Sequence, residues 1–147
     1  MKGRTLLRIA AVATAAQAMA HTFGGVFGPI QPGNQMVAAV AMKTNQFDAL
    51  GSSRTFWDFF IGFGLCVSVF LVLETGLLWI VAKAVDDGVT DWRPILALLM
   101  ICNVAIGVLG VRFFFPATVV APGVNLICIG IVLAKHLLAP QISPSTA

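Results

Sequence analysis

Charge is what this sequence has least of. Asp, Glu, Lys and Arg make up 10% of its 147 residues, and 59% are hydrophobic. An ordinary soluble domain carries about 25% charge. A soluble core of this length would need far more polar surface to cover it, so the composition points to one integral membrane unit. Tyrosine is absent while phenylalanine occurs 11 times, and Phe-rich faces suit lipid or tight apolar packing. The net charge of +3 comes mostly from short flanks. With no basic patch interleaved with aromatics, nucleic acid is not an expected partner. A nucleotide-binding glycine loop, a nucleophile elbow and a zinc signature are missing too. Gly62-Phe63-Gly64 lies inside an apolar run and is not a phosphate loop. Cys66, Cys102 and Cys128 sit in long apolar runs without a CxxC pair or a histidine at ligand spacing. They read as small buried hydrophobes. No metal and no cofactor are expected.

What is present is four apolar segments, residues 6–28, 57–81, 94–115 and 122–138. A bilayer core of ~30 Å needs about 20 helical residues, and a helix satisfies its own backbone in lipid. The expected fold class is therefore all-α, an integral membrane four-helix bundle with up-down topology, and strands are not expected. Pro94 and Pro122 sit where first helical turns should begin. Thr90 or Asp91 is the expected cap of the third helix. Ser52 or Ser53 is a candidate cap for the second, where Thr55-x-x-Asp58 also reads as a capping box. The links after the second and third helices are short, which makes helices 2, 3 and 4 antiparallel neighbours. The loop 29–56 is long, and its middle, "NQMVAAVAMKTNQF", predicts a short interfacial helix with Asn34 as N-cap, too short to span. The tail 139–147, rich in Pro and Ser, is expected to be disordered.

Lysine and arginine set the orientation. With the N-terminus in the cytoplasm, Lys2, Arg4, Arg8, Lys83, Arg93 and Lys135 lie inside. Lys43, Arg54 and Arg112 then lie outside, so both termini are expected to be cytoplasmic. "AMAHTFGG" (residues 18–25) admits another reading, as the cleavage end of a secretory signal. However, Thr14 and Gln17 weaken the apolar region, and apolar character continues past the cut. An uncleaved first helix is the preferred reading, without excluding cleavage after Ala20.

An ionisable residue in a span costs roughly 2.5–3.5 kcal/mol on insertion scales, so each needs a reason. Thr14, Gln17, His21, Gly24 and Gly28 share one face of the first helix, and Asn103, Gly107 and Gly110 share one of the third. Small residues at this spacing let helices approach closely. Depth places His21, Arg54, Asp58, Arg112 and Asn125 near the outer end. There an acid, a base, a fixed cation and an amide would converge as a ligand or proton-transfer site. Simpler roles compete. Asp58 can cap its helix or pair with Arg54, Arg112 can snorkel to phosphates, and His21 can bond a neighbouring helix. Glu74 stands about 24 Å along the second helix from Asp58 and roughly 160° around it, so one partner cannot serve both. It is expected to be neutral or paired. Thr14 and Gln17 have compatible depth, and Lys135 can reach it from the fourth helix.

"GSSRTFWDFFIGFGL" (residues 51–65) and "AMAHTFGG" together resemble a family of small four-helix bacterial inner-membrane proteins. In that family a His-Thr pair ends helix 1, and a Ser-Arg-x-aromatic-Trp-Asp-Phe run opens helix 2. The resemblance covers helices 1 and 2. It implies that His21, Arg54, Trp57 and Asp58 act together in a multi-pass inner-membrane protein, and it implies no substrate.

Three functions compete. The first is a bundle that binds or isomerises a lipophilic small molecule. His21, Asp58 and Glu74 would be its catalytic acid–base groups, Arg54 an anion anchor and Trp57 a pocket wall. Gln17, Asn103, Arg112 and Asn125 complete the candidate ligand-binding set. The second is a non-enzymatic accessory subunit, its partners being membrane lipids, a second copy or a larger membrane complex. The third is a proton-coupled exporter. Small exporters of that kind carry their membrane glutamate in helix 1, whereas Glu74 is in helix 2.

Overall fold

The computed structural model describes residues 2–87 and 91–138. It is almost wholly helical. Helix α1 (Gly3–Met19) runs into a seven-residue π-helical segment, Ala20–Val26. Next come α2 (Asn34–Thr44), strands β1 (Gln46–Ala49) and β2 (Ser52–Thr55), α3 (Phe56–Asp86) and α4 (Arg93–Phe113). A 3-10 turn, Pro116–Val119, leads into α5 (Val120–Leu138). Three stretches are long and apolar enough to cross a membrane: Phe56–Asp86, Arg93–Phe113 and Pro116–Leu137, with mean hydropathies of 2.3, 2.4 and 2.2. At ~1.5 Å per residue α3 is about 46 Å long, more than a bilayer core requires.

The first apolar segment does not form one regular helix over 6–28. Regular α-helix ends at Met19, and the Phe27 amide closes a wider turn on the Thr22 carbonyl at 3.0 Å. The Thr22 hydroxyl occupies the Ala18 carbonyl at 2.7 Å, competing with the backbone donor an α-turn would place there. Two adjacent glycines, Gly24 and Gly25, follow in the same segment.

Helix starts follow local chemistry. At α3 the Thr55 amide and hydroxyl donate to Asp58 Oδ2 (2.7 and 2.9 Å), and the Asp58 amide donates back to Thr55 Oγ1 (3.1 Å). This is a reciprocal capping box, and Thr55 takes the role that Ser52 or Ser53 was expected to fill. Pro94 sits in the first turn of α4, where its missing amide has no partner to lose. The N-cap of α4 is Trp92 rather than Asp91; Thr90 lies outside the described residues, as does the tail 139–147. Pro122 does not open α5. The helix begins earlier, leaving Pro122 in its first turn. At α2 the N-cap is Gly33, at φ +91°, and Asn34 is the first helical residue.

The loop 29–56 also holds a hairpin that its sequence does not announce. β1 and β2 pair antiparallel, with Gln46 opposite Thr55 and Ala49 opposite Ser52. Leu50 and Gly51 turn between them with φ of +53° and +79°. Hairpin turns of two residues favour such angles, but a leucine there is strained, which is why "LG" is a weak signal.

The contacts group into two compact units. One comprises the residues up to Thr14 with those from Glu74 onward, the other Ala15–Leu73. The first holds the apolar core. Leu7, Ala10, Leu78, Ala82, Leu96, Ile129 and Val132 are completely buried there. A Cβ on Gly110 would lie 2.8 Å from Val119 Cγ1, so the turn after α4 folds back where α4 has no side chain. In the second unit Val26 packs onto Gly64, where a Cβ would lie 2.7 Å from Val26 Cγ2.

Candidate functional site

The first unit carries a polar cluster inside its apolar core. Thr14 of α1, Glu74 of α3, Asn103 of α4 and Asn125 of α5 are 1%, 8%, 1% and 1% exposed. Each comes from a different helix. Asn103 Nδ2 donates to Glu74 Oε1 at 2.5 Å and to the Leu99 carbonyl at 2.8 Å. Asn125 Nδ2 lies 2.8 Å from Thr14 Oγ1, 3.0 Å from Asn103 Oδ1 and 3.2 Å from Glu74 Oε1. The Thr14 hydroxyl donates to the Ala10 carbonyl at 3.1 Å. Two amides thus converge on one carboxylate oxygen, the arrangement a buried acid needs to avoid an unpaired charge. Asn125 Oδ1 is the exception, buried without a hydrogen-bond partner.

The second unit uses its polar groups differently. His21 Nε2 bonds the Gly64 carbonyl at 3.0 Å. A carbonyl only accepts, so Nε2 carries the hydrogen and Nδ1 is left facing Gly25. Ser68 Oγ lies 3.2 Å from the same carbonyl and 2.8 Å from the Thr22 hydroxyl oxygen. The His21-Thr22 pair is thereby clamped to the Gly64–Ser68 turn of α3.

Beside this clamp lies a cavity of about 170 Å³. Val26, Ile30, Met42, Trp57 and Phe60 form its apolar wall, and Gln35 is its polar member. The Trp57 ring is fixed on two sides, by Lys43 Nζ 4.4 Å from its centroid and by Phe60 at 5.3 Å. Gly25 also lines the cavity, which puts His21 immediately behind the wall.

Not all the expected residues meet. Asp58 is exposed and held by Thr55, and His21 is held by Gly64. Arg54 donates to the Ser53 carbonyl at 2.9 Å. Arg112 lies over the neighbouring Phe113 ring at 5.7 Å. Gln17 is half-buried on α1. Asn125, grouped by depth with His21 and Asp58, is bonded instead to Glu74, Asn103 and Thr14. Helix depth alone does not fix which face turns to which neighbour.

Comparison with protein-family models, with curated proteins and with solved structures gives no match. The site must therefore be read from its own chemistry.

Some of its members escape a reading by charge. Thr14 was legible only as a polar residue at Glu74's depth. Gly64 and Ser68 carry no charge to mark them, and their places beside the His-Thr pair depend on the partner helix. The α2 side of the cavity, Gln35 and Met42, had no signal beyond the expected short helix.

Proposed function

We propose that this chain is a multi-pass inner-membrane protein, a four-helix bundle with cytoplasmic termini, that binds a lipophilic small molecule beside Trp57. α1 with its π-helical segment would be the fourth crossing, next to the three long apolar helices. The excess of Lys and Arg on one set of ends supports the orientation. The His-Thr and Ser-Arg-x-aromatic-Trp-Asp-Phe runs support kinship with the small bacterial membrane proteins they resemble.

The observation that carries the binding reading is the cavity walled by Trp57, Phe60, Met42, Ile30 and Val26 with one amide, Gln35. Binding pockets combine an apolar wall with a few polar groups in this way. Its volume, about 170 Å³, falls below the roughly 300–1,000 Å³ of sites for drug-sized ligands. It fits an acyl or isoprenoid tail, or a small apolar molecule, rather than a large substrate. Binding is favoured over isomerisation because His21, Asp58 and Glu74 each bond to separate neighbours. A concerted acid–base pair would have to hold one substrate between two of them.

The experiment is mass spectrometry of solvent extracts from the full chain purified in mild detergent. One apolar species should co-purify with the wild type and fall at least tenfold in Trp57→Ala, with Trp79→Ala as control. Equal recovery from all three proteins contradicts the reading. Reporter fusions at the two termini test the orientation, and a signal from the outer side overturns it.

A further inference from the structure

The two arginines at the start of α1 are held in different ways. Arg4 and Arg8 are about one turn apart and share a face. Arg4 Nη1 lies 3.6 Å from Asp86 Oδ2 of α3, so its charge is answered within the chain. Arg8 has no carboxylate at ion-pair distance and no hydrogen bond among the described residues. Its guanidinium lies over the ring of Trp79, also on α3, 5.0 Å from the centroid. Arg8 is half-buried and Trp79 is 50% exposed. The two helices are closely packed here, since a Cβ on Gly3 would lie 2.9 Å from Val85 Cγ1. A cation–π contact holds a guanidinium in place but leaves its N–H donors for an acceptor. A cation in an apolar span needs an anion or a polar surface within reach.

We infer that Arg8 and Trp79 form a headgroup site for one anionic phospholipid, with the guanidinium on its phosphodiester. The planar fork of an arginine matches two phosphate oxygens, and stacking on Trp79 holds that fork before the lipid arrives. Depth fits this role. Arg8 stands about 8 Å along α1 from Gly3, and Trp79 about 10 Å along α3 before Asp86, at ~1.5 Å per residue. Both lie where a polar helix end gives way to an apolar run, the level at which tryptophan is favoured. Lys83, exposed and one turn from Trp79 on the same face, adds a second cation. Arg4, Arg8 and Lys83 outnumber Asp86 and Asp87, and Asp86 is taken up by Arg4. Basic sites between helices at the cytoplasmic side take lipid headgroups in this way. Apolar surface continues from the pair toward the bilayer centre. Val12, one turn along α1 from Arg8, is 62% exposed. Gly76, about one turn along α3 from Trp79, leaves open space, since a Cβ there would meet nothing within 4 Å. A free phosphate would use the guanidinium alone, whereas acyl chains also use this apolar continuation. The site presupposes that the chain spans a membrane, as proposed above, and is independent of the Trp57 cavity.

The test is native mass spectrometry of the full chain released from nanodiscs of phosphatidylglycerol and phosphatidylcholine in equal amounts. Phosphatidylglycerol should be retained about fivefold over phosphatidylcholine, the factor that one arginine supplies at an anionic surface. Arg8→Gln should remove the preference. Arg93→Gln loses the same charge at an exposed place on α4 and should keep it. Trp79→Leu takes away the stacking surface and should lower it, so the answer stands even where Arg8→Gln fails to fold. The same variant should leave the apolar species of the Trp57 cavity unchanged, which reads the two sites apart. Glycerol 3-phosphate in excess offers the phosphate without the chains and should not displace the lipid. Equal retention of the two lipids by the wild type, a full preference in Arg8→Gln or Trp79→Leu, or an equal loss in Arg93→Gln would each overturn the site. Displacement by glycerol 3-phosphate would overturn it in favour of a free phosphate. A chain that does not enter the nanodisc overturns the membrane reading itself, whereas one that enters without a lipid preference overturns this site alone.

Discussion

The two units bury polar side chains by opposite rules. Between Ala15 and Leu73, the polar groups end on backbone. His21 and Ser68 reach the Gly64 carbonyl, and Thr22 reaches the Ala18 carbonyl. In the other unit the polar groups end mostly on one another. Glu74 is held by Asn103 and Asn125, and Asn125 by Thr14. A backbone carbonyl keeps its place when a side chain changes, so the His-Thr clamp can lose a member and remain largely satisfied. A cluster of side chains cannot. Removing one member strands the next, and here one oxygen already has no partner. The clamp thus tolerates the loss of a side chain better than the cluster does.

The sharpest way to break this contrast is to replace one keystone residue in each unit. Asn103→Leu leaves the buried Glu74 carboxyl with one amide donor in place of two, and a buried acceptor left short of its partner costs about 1–3 kcal/mol. Reversible unfolding in detergent should show a loss of that order, and a loss below ~1 kcal/mol would erase the contrast. Gly64→Ala comes next. The added methyl meets Val26 Cγ2 at 2.7 Å, and a β-branched valine has little room to turn. Overpacking of this kind costs about 1–3 kcal/mol, read by the same unfolding measurement.

His21→Phe should cost less, about 0.5–1.5 kcal/mol for a net hydrogen bond, because Ser68 still reaches the Gly64 carbonyl. A loss as large as that of Asn103→Leu would mean that the clamp, too, depends on its side chains. Thr55→Ala removes the cap of α3 and should cost about 1 kcal/mol. The smallest expected change is a gain. Leu50→Asn relieves a leucine held at φ +53° and should stabilise the hairpin by up to about 1 kcal/mol, visible as slower amide exchange in β1 and β2.

Much of the helical layout was legible. Apolar run length marked the three long helices, and the proline at Pro94 and the Thr55-x-x-Asp58 spacing marked two starts to within a residue or two. These are local signals, written in neighbouring residues. The break in the first apolar segment was not legible, because it turns on Thr22 bonding backward to Ala18. Nor was the hairpin, since its turn uses a leucine where asparagine or glycine would have announced it. Glu74 stood out as an acid in an apolar run, but its partners did not. Asn103 and Asn125 come from other helices, and which faces meet depends on helix rotation that a single-chain periodicity leaves open. The same gap placed Asn125 with His21 and Asp58 by depth, when its bonds go to Glu74, Asn103 and Thr14.

The contrast between side-chain and backbone anchoring is tested most directly by combining two replacements in the cluster. Glu74→Leu with Asn103→Leu removes both ends of the 2.5 Å bond and fills the space with apolar groups. Replacing both partners of a buried polar pair is often near neutral, whereas removing one is not. Unfolding free energies of the wild type, the two single variants and the double variant should show the double variant more stable than Asn103→Leu alone. A double variant less stable than either single one, with losses that simply add, would contradict the account.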